Sequence, residues 1–578
     1  MKMKFLTKSV FILNDGNEKG LTTGGIISEN ETILIGCDDR LTPKIISDLN
    51  LPKVTAIICC DYRRSANAGL HNFEKAKKYV NENFFGLLSH PEHWWEDDNN
   101  RWHIYKLRPD NDILRQGVDN ICRLTDNEEI KIGDKIIKAL LTPGDTDFSM
   151  SFLVEDEDLK IIFCGGLLYK GGKIPFLYRL TQGIGDQSIG DYHGYLRGIP
   201  VWKKSLELIS YGDLLVPYLG GVIENPKSDI NVFCKNIDEY YNKYTDISSM
   251  NYYFKGALDV NNDTKMTESQ EKDFPPYVKN IGGQCVVIIS KNKNAIALDC
   301  GGINVTDTLL SMIKRGEIIS VDALYITHYH DDHVDGCEYF RSHFECPIYA
   351  DRIQADILRN PMNYRLPCIS PVSVDVTALD DGYSWKWQDF ELTSFSFPGQ
   401  TLYHGGLLVK NSDETLFFVG DSFSSTGIDD YCAYNRTLLI PGEGYFKCIN
   451  LLKKYMPNYL INQHIMTAFD FTVEQLNYME KNLMERIKIL EKLSVWSNIN
   501  YALDEYFVMP YPYEQTENNA VDFLVSDYAE NISCEIVPSK QIKSKNIQGI
   551  RVYIGDIYLG QKSCCIINSD SIFWRQRR

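Results

Sequence analysis

Short apolar runs alternate with amphipathic segments over most of the chain. Over residues 10–254 the runs have the length of buried strands, and the segments between them repeat at helical spacing. This alternation predicts a layered α/β unit. A second series of the same kind covers residues 277–493 and ends in a predicted long helix, which Thr472 and Gln475 begin as a capping box. Apolar residues at helical spacing give this helix one buried face: Leu476, Met479, Leu483, Ile487 and Leu490.

Two changes of composition divide the chain. Residues 258–276 are mostly polar and end in a Pro-Pro pair, which predicts a linker. In the last part of the chain, shorter strand candidates are separated by polar turns, which predicts a small β-sandwich. These candidates are Val521–Val525, Glu535–Val537, Ile550–Ile554 and Cys565–Ile567. We therefore predict one α/β unit over residues 1–257, a second over 277–500, and a β-rich unit over 501–578.

Composition narrows the class of protein. Of the 578 residues, 44% are hydrophobic and 24% charged, as in globular proteins, and no apolar run reaches the roughly 20 residues that cross a bilayer. The formal net charge of −18 argues against a nucleic-acid partner. The N-terminus lacks the apolar core and cleavage site of a signal peptide, and the 16 cysteines include no CxxC pair. We expect a cytoplasmic protein with buried free thiols and no membrane association.

Residues that bind metals are concentrated at one point of the second unit. A predicted buried strand ends at Ile326, and His328, His330, Asp332 and His333 follow it closely. The chain has only 11 histidines, so three of them within six residues are improbable in an ordinary surface loop. A strand-to-helix turn can aim such side chains at one point, and imidazole and carboxylate ligands suit zinc, iron or manganese. The pattern therefore predicts a metal site.

These residues resemble the HxHxDH signature of the metallo-β-lactamase superfamily, and four further motifs resemble the family in the same order. Asp299 resembles the aspartate that positions the metal-binding loop. Pro398–His404 resembles the PGHTxxH motif, but Gln400 stands where the family has a histidine ligand. Asp421 resembles the aspartate that two metals share, and His464 resembles the last histidine ligand. The resemblance implies an αββα sandwich with hydrolase activity.

The resemblance covers roughly residues 282–493 and implies two adjacent metal sites. The first would consist of His328, His330, Gln400 and Asp421, and the second of Asp332, His333, Asp421 and His464. A glutamine carbonyl oxygen is a weaker and harder donor than imidazole, so we expect the second site to bind at least as tightly as the first. His404 either replaces the missing ligand or makes a structural hydrogen bond. The expected cofactor is one or two divalent ions, zinc first, with iron or manganese as alternatives.

Such a site supports hydrolysis, because a metal ion lowers the pKa of bound water to about 7 and polarises the substrate oxygen that is attacked. Asp332 is the carboxylate best placed to orient this water and accept its proton, so we predict it as the catalytic residue. An ester, lactone, amide, thioester or phosphodiester all remain open as substrates. An iron- or manganese-dependent oxidoreductase and a non-catalytic scaffold are the alternatives. We expect a small-molecule or peptide substrate, and a homodimer remains open.

The first unit repeats the motifs of the second without their ligands. Cys60–Gly69 aligns with Thr327–Gly336, and Pro143–Gly166 aligns with Pro398–Asp421 at the same separation. The residues that fall on ligand positions are Asp61, Arg63, Ser65, Ala66, Asp145, Gly166 and Leu219. Two of them are aspartates that can still donate oxygen, but the arginine argues against a cation. We predict a degenerate copy that acts as a packing partner; a unit that shapes the active cleft is the alternative.

Three further features of the sequence are weaker candidates for a functional role. The histidine pair in His90–Trp95 is a weak metal candidate, and the tryptophans there, with Trp102, are expected to pack against the other unit. Cys300 and Cys337 lie beside metal motifs and are expected to be buried thiols. Arg365 lies in an insertion between two motifs and is a candidate contact for an anionic substrate.

Overall fold

The computed structural model describes most of the two α/β units and the backbone of three C-terminal strands. The described ranges are 1–16, 20–97, 102–103, 113–114, 116–174, 177, 198–253, 266–361, 366, 368–430, 439–495, 499, 532–537, 547–554 and 557–565. Among these residues, no helix is long and apolar enough to cross a membrane. Arg365 and the strand candidate Val521–Val525 lie outside the described residues.

The first unit contains two sheets. Its strands are β1 (Lys2–Phe5), β2 (Val10–Asn14), β3 (Thr23–Ser28), β4 (Glu31–Ile35), β5 (Lys53–Ile58), β6 (Lys77–Asn81), β7 (Ile121–Leu124), β8 (Glu129–Ile132), β9 (Lys135–Leu141), β10 (Met150–Asp156), β11 (Leu159–Gly165) and β12 (Leu214–Pro217). Strands β1 to β7 form a seven-stranded sheet in sequence order, and the other five form a sheet in the order β12-β11-β10-β9-β8. The pairs β4–β5, β5–β6, β6–β7 and β11–β12 are parallel.

Helices cover the outer faces of both sheets in the first unit. They are α1 (Pro43–Asp48), α2 (Arg64–Asn67), α3 (Phe85–Ser89), α4 (Pro91–Glu96), α5 (Ile199–Ile209), α6 (Pro226–Asp246) and α7 (Met250–Tyr253), with 3₁₀ turns at Ala68–Phe73 and Glu82–Phe84. Ile33 and Ile58 from one sheet pack against Phe152 and Phe163 from the other, so the two sheets enclose a common core. This is the αββα arrangement.

The second unit has the same layers. Its strands are β13 (Val278–Gly282), β14 (Cys285–Ile289), β15 (Asn294–Leu298), β16 (Ser320–Ile326), β17 (Ile348–Asp351), β18 (Thr377–Leu379), β19 (Ser384–Trp387), β20 (Phe390–Ser396), β21 (Gly405–Lys410), β22 (Thr415–Gly420), β23 (Phe423–Ser424), β24 (Gly427–Ile428) and β25 (Tyr459–Asn462). Strands β13 to β18 form one sheet, β19-β20-β21-β22-β25 form the facing sheet, and β23 pairs with β24. The predicted αββα sandwich is confirmed.

The helices of the second unit include the predicted capped one. They are α8 (Ile303–Lys314), α9 (Asp331–Val334), α10 (Cys337–His343), α11 (Arg352–Arg359), α12 (Gly444–Tyr455) and α13 (Val473–Leu493). The Thr472 side chain accepts a hydrogen bond from the Gln475 N–H, and the Gln475 side chain accepts one from the Thr472 N–H. The capping box is therefore confirmed at the start of α13.

The two units share strand register as well as layers. The parallel pair β4–β5 contains an irregularity after which Ile33 lies opposite Ala56. The parallel pair β15–β16 has an irregularity at the corresponding place, after which Ile296 lies opposite Ala323. In each unit the next turn carries the residues that the sequence alignment places at ligand positions. This agreement supports the alignment of the two units.

Helices α5 and α6 of the first unit and α13 of the second contribute to one continuous buried core between the units. Trp202 and Phe233 on α5 and α6 belong to the same buried cluster as Leu483 and Leu490 on α13. At the same interface, the buried Arg486 pairs with a buried aspartate and donates to two backbone oxygens of the first unit. The two units are therefore joined by an extensive apolar contact, as the packing-partner interpretation expects.

The C-terminal region contributes three strands, β26 (Ile532–Val537), β27 (Ile547–Ile554) and β28 (Ile557–Cys565). They form one antiparallel sheet, in which β27 lies in the middle. The predicted sandwich would need a second sheet, and none is found in the described part of this region. The β-rich character predicted from the sequence is present in the strands that are described.

Candidate metal centre

A buried aspartate fixes the turn that carries the histidines. Asp299 follows β15 with a φ of 64°, a left-handed conformation that residues other than glycine rarely adopt. Its Oδ1 accepts a hydrogen bond from the Thr327 N–H at 2.7 Å, and its Oδ2 accepts one from Thr327 Oγ1 at 2.8 Å. The same Oδ2 lies 3.0 Å from His333 Nδ1. Asp299 thus orients the turn and one imidazole, which is the role that the family resemblance implies.

Four side chains converge on the predicted second site. His464 Nε2 lies 3.1 Å from Asp332 Oδ2 and 3.1 Å from Asp421 Oδ2. His333 Nε2 lies 3.3 Å from Asp421 Oδ2 and 3.6 Å from Asp332 Oδ1. The Asp421 side chain is 6% exposed, whereas those of Asp332 and His464 are each 30% exposed. The site therefore opens to solvent on the side of Asp332 and His464.

The predicted first site shares Asp421 with the second. His328 Nε2 lies 2.9 Å from His330 Nδ1 and 3.8 Å from Asp421 Oδ2. Among the described residues, two groups of three ligand atoms lie within 4.8 Å of one another: His328, His333 and Asp421, and Asp332, His333 and His464. Imidazole and carboxylate ligands in this number suit zinc, and they also suit iron or manganese.

Strand ends bring these distant residues together. Asp421 follows β22 and His464 follows β25, and the two strands are parallel neighbours, so both side chains leave the same edge of the sheet. Gly420 has a φ of 54°, and a Cβ there would lie 2.3 Å from His404 Cε1. Only glycine fits this turn, which presents Asp421 to the histidines.

Buried polar atoms at the centre lack partners that a metal ion would supply. Nε2 of His333, Oδ1 of Asp421 and Oε1 of Gln400 are buried and make no hydrogen bond among the described residues, although His333 Nε2 lies 3.3 Å from Asp421 Oδ2. Leaving such an atom unsatisfied costs about 1–3 kcal/mol. The donor types and these atoms together fit a divalent cation at this position.

The electrostatics of the centre also require positive charge. Burial raises the pKa of Asp421, but His464 and His333 outweigh it and hold this pKa well below its usual value. Burial raises the pKa of Asp332 as well, yet the same histidines lower it to about 2. Burial lowers the pKa of His464, whereas Asp421 and Asp332 raise it to about 10. Protonated imidazoles balance ionised carboxylates here, and a metal ion that displaces those protons would do the same.

Gln400 makes a hydrogen bond to the shared carboxylate. Its Nε2 donates to Asp421 Oδ2 at 3.3 Å, and its backbone N–H donates to Ser422 Oγ at 3.2 Å. His404 stacks on His328 with ring centroids 4.7 Å apart, and its Nε2 lies 3.4 Å from Ser422 Oγ. These contacts favour the structural role for His404. Metal ligation by Gln400 stays a prediction.

We expect Gln400→His to strengthen the first site, because imidazole is a better ligand than an amide oxygen for zinc. Zinc retained per chain after dialysis against a buffered zinc concentration should increase, as measured by elemental analysis. Gln388→His, on an exposed turn, is the matched control and should leave the zinc content unchanged. Equal zinc content in wild type and Gln400→His would show that residue 400 does not limit the first site.

A guanidinium occupies the corresponding position of the first unit. Arg63 Nη1 contacts Asp145 and lies 3.3 Å from Asp61 Oδ2, and its Nη2 donates to the Asp145 backbone oxygen at 2.6 Å. The Tyr218 hydroxyl also donates to Asp145 Oδ2, at 2.9 Å. At Gly166, which aligns with the shared aspartate of the second unit, a Cβ would lie 1.9 Å from Asp145 Oδ2. Both remaining carboxylates are thus bound by Arg63, and there is no space for a further ligand at residue 166.

The first unit also reaches the metal-binding turn of the second. His103 Nδ1 lies 2.6 Å from Asp331 Oδ2, and Trp102 packs against the outer core of the second unit, as predicted for this tryptophan. Burial raises the pKa of the Tyr253 phenol on α7, and the carboxylates of Asp429 and Asp421 raise it further. No sequence pattern indicates His103 or Tyr218, because contacts across such separations leave no local signal.

The remaining sequence candidates form no further site among the described residues. The rings of His90 and His93 stack with centroids 5.3 Å apart, but neither belongs to a group of metal-ligating atoms. Trp94 is buried in the core of the first unit, so its predicted packing against the second unit is wrong. Cys300 and Cys337 are buried, as predicted, and contact with Cys300 together with burial raises the pKa of the Cys337 thiol.

A family model and several known proteins are similar to part of the chain. Residues 280–436 match the family model of the metallo-beta-lactamase superfamily. Hydroxyacylglutathione hydrolase of Wigglesworthia glossinidia brevipalpis is 24% identical over 237 residues, 38% of this chain and 81% of that protein. Hydroxyacylglutathione hydrolase of Thiobacillus denitrificans is 30% identical over 135 residues, 23% of this chain and 44% of that protein.

The matches to solved structures cover about the same share of this chain as the match to the Wigglesworthia protein. A subclass B3 metallo-beta-lactamase of Bradyrhizobium japonicum, BJP-1, has a TM-score of 0.30 and 13% identity, and the match covers 42% of this chain and 93% of that one. A metallo-beta-lactamase of Cronobacter sakazakii with a HARLDQ motif has a TM-score of 0.31 and 15% identity, with 42% and 88% covered. The family-model match lies within the second unit, which is thus similar to the metallo-β-lactamase superfamily over residues 280–436.

Proposed function

We propose that the second unit is a metal-dependent hydrolase and that thioesters are its substrates. Contacts of 3.1–3.6 Å between the imidazoles of His333 and His464 and the carboxylates of Asp332 and Asp421 carry the proposal. When bound, a divalent metal supplies a Lewis acid and a water of lowered pKa. The partly exposed side of the centre leaves room for a substrate, as hydrolytic metal sites require.

Each residue of the centre has a distinct role in the proposed reaction. Asp421 would be a ligand in both predicted sites, since its Oδ2 faces imidazoles of both ligand groups. Asp332 lies at the open side and carries an ionised carboxylate that can orient the attacking water and accept its proton. Asp299 Oδ2 contacts Nδ1 of His333, the ring nitrogen that does not face the centre, and this contact fixes the direction of Nε2.

The choice of thioesters rests on the relatives. The two similar proteins are both named hydroxyacylglutathione hydrolase, and a hydroxyacylglutathione is a thioester. A thioester is more reactive towards an oxygen nucleophile than an amide, and its carbonyl oxygen accepts metal polarisation in the same way as an ester. Esters, lactones, amides and phosphodiesters are the competing substrate classes.

The test is hydrolysis of a hydroxyacylglutathione by the zinc-loaded full chain. The reaction is monitored by the decrease in ultraviolet absorbance of the thioester. We expect the wild type to hydrolyse the thioester and His333→Ala to abolish this turnover. His343→Ala replaces an exposed histidine on α10 and should leave the turnover unchanged. A lactone, an aryl ester and a phosphodiester are measured in parallel. Faster turnover of one of these would contradict the thioester assignment. Equal turnover by wild type and His333→Ala would contradict metal-dependent hydrolysis itself.

An iron- or manganese-dependent oxidoreductase is the second candidate, and Gln400 favours it. Replacement of an imidazole by an amide group makes the ligand set richer in oxygen, which manganese and iron accept more readily than zinc does. Elemental analysis of protein purified with and without air distinguishes the two candidates. Iron that is retained only without air supports the oxidoreductase, whereas zinc in both preparations supports the hydrolase.

A further inference from the structure

A short segment of the first unit docks on the metal-binding turn of the second. Between α4 and β7, the His103 backbone N–H donates to the Ile369 carbonyl oxygen at 3.3 Å. His103 Nδ1 lies 2.6 Å from Asp331 Oδ2 and 3.7 Å from Asp335 Oδ2. Trp102 packs beside it on the outer core of the second unit. The contact thus combines an apolar anchor, a backbone hydrogen bond and a charged hydrogen bond.

Asp331 connects this contact to the centre. It lies between His330 and Asp332 in the turn, its side chain is 1% exposed, and it belongs to neither ligand group among the described residues. Its Oδ1 accepts a hydrogen bond from the Asp332 N–H at 2.8 Å, while its Oδ2 faces His103. One carboxylate therefore holds the backbone of Asp332 with one oxygen and His103 with the other.

The conformation of His103 also points to a specific contact. Its φ is 52°, in the left-handed region that is uncommon for residues other than glycine. Such a conformation persists where the surroundings determine it, and it is typical of functional positions. Here the surroundings belong to the other unit, more than 200 positions further along the chain.

We propose that His103 is a positioning residue for the metal centre of the second unit. It fixes the Asp331 carboxylate, which in turn fixes the backbone of Asp332 and so the direction in which the Asp332 side chain meets the centre. The first unit then does more than pack against the second, because it completes the hydrogen-bond network around the metal-binding turn. The proposal rests on the proposed metal-dependent hydrolysis, and it adds a residue from outside the family-matched region.

His103→Phe tests the proposal, because it keeps a ring beside Trp102 and removes the hydrogen bond. Loss of a residue that orients a metal site lowers metal affinity by about 10–100-fold. We expect His103→Phe to weaken zinc binding at least tenfold in competition with a chromogenic chelator. We also expect it to lower kcat without raising KM. His103→Asn, whose Nδ2 can replace Nδ1, should recover most of both values.

The controls separate this proposal from the proposed function. His93→Ala removes an exposed histidine of the same unit and should change neither zinc affinity nor kcat. Because His103→Phe also removes a hydrogen bond from the buried Asp331, its metal-free form is expected to have a lower unfolding midpoint. Zinc affinity is therefore measured under conditions in which both metal-free proteins are fully folded, where a merely structural role would leave it unchanged. If His103→Phe binds zinc as tightly as the wild type while His333→Ala loses turnover, the positioning role of His103 is overturned. The proposed hydrolase function would still be supported in that case. Full turnover in His333→Ala would overturn both.

Discussion

Asp421→Asn is expected to reduce turnover by about 1,000-fold, which corresponds to about 4 kcal/mol of transition-state stabilisation. The substitution is nearly isosteric, but it removes the negative charge that the two predicted metal sites share. Asp421 Oδ2 lies 3.1 Å from His464 Nε2, 3.3 Å from His333 Nε2 and 3.8 Å from His328 Nε2. Among the described carboxylates, Asp421 alone lies within 3.8 Å of all three of these imidazoles, so one change is expected to weaken both predicted sites.

The measurement is kcat with a hydroxyacylglutathione, together with zinc content per chain from the same preparations. Asp413→Asn, on the exposed turn before β22, is the matched control and should keep full turnover and zinc. A loss of turnover with unchanged zinc would assign Asp421 to catalysis alone. Unchanged turnover would contradict the shared role of Asp421 in both sites.

Arg63→Met is expected to lower the free energy of unfolding by about 3–5 kcal/mol, because it leaves two buried carboxylates without their counter-ion. The side chains of Arg63, Asp61 and Asp145 are each exposed by 3% or less. Burial alone lowers the pKa of Arg63, but Asp145, Tyr218 and Asp61 outweigh it and raise this pKa well above its usual value. The guanidinium therefore stays charged and carries the positive charge that a metal provides in the second unit.

Urea unfolding followed by tryptophan fluorescence measures this change. Lys203→Met removes an exposed ion pair with Asp238 and should change the free energy by about 1 kcal/mol or less. Adding Asp145→Asn to Arg63→Met should recover part of the loss, since one uncompensated charge disappears. Identical unfolding of wild type and Arg63→Met would show that the guanidinium is not a structural substitute for a metal.

The sequence predicted the parts of the centre that local pattern determines. A buried strand followed by alternating histidines and aspartates is a short-range signal, and His328, Asp332 and His333 do belong to the two groups of candidate ligand atoms. His330 belongs to neither group, but its Nδ1 lies 2.9 Å from His328 Nε2. The supporting role of Asp299 was also predictable, because it follows a strand that must lie next to the histidine-bearing one. Parallel pairing of β15 with β16 places the two strand ends side by side.

Contacts between the units were not predictable in this way. His103 lies outside every motif and reaches Asp331 of the other unit, more than 200 positions further along the chain. Within the first unit, Tyr218 reaches Asp145 in the same way, through layers that are far apart in the sequence. The orientation of the Gln400 side chain could not be predicted either, because an amide can offer either its oxygen or its nitrogen to a neighbour. The structure shows the nitrogen donating to Asp421. Tertiary packing, rather than local propensity, decides such details.

Metal content per chain tests the central claim most directly. The full chain would be loaded with zinc, dialysed, and analysed for zinc beside a variant that carries His333→Ala and His464→Ala. We predict one or two zinc ions per chain in the wild type and a clear loss in the variant, because these two imidazoles belong to the second site and His333 to both ligand groups. The same zinc content in both proteins would contradict a metal centre formed by these residues.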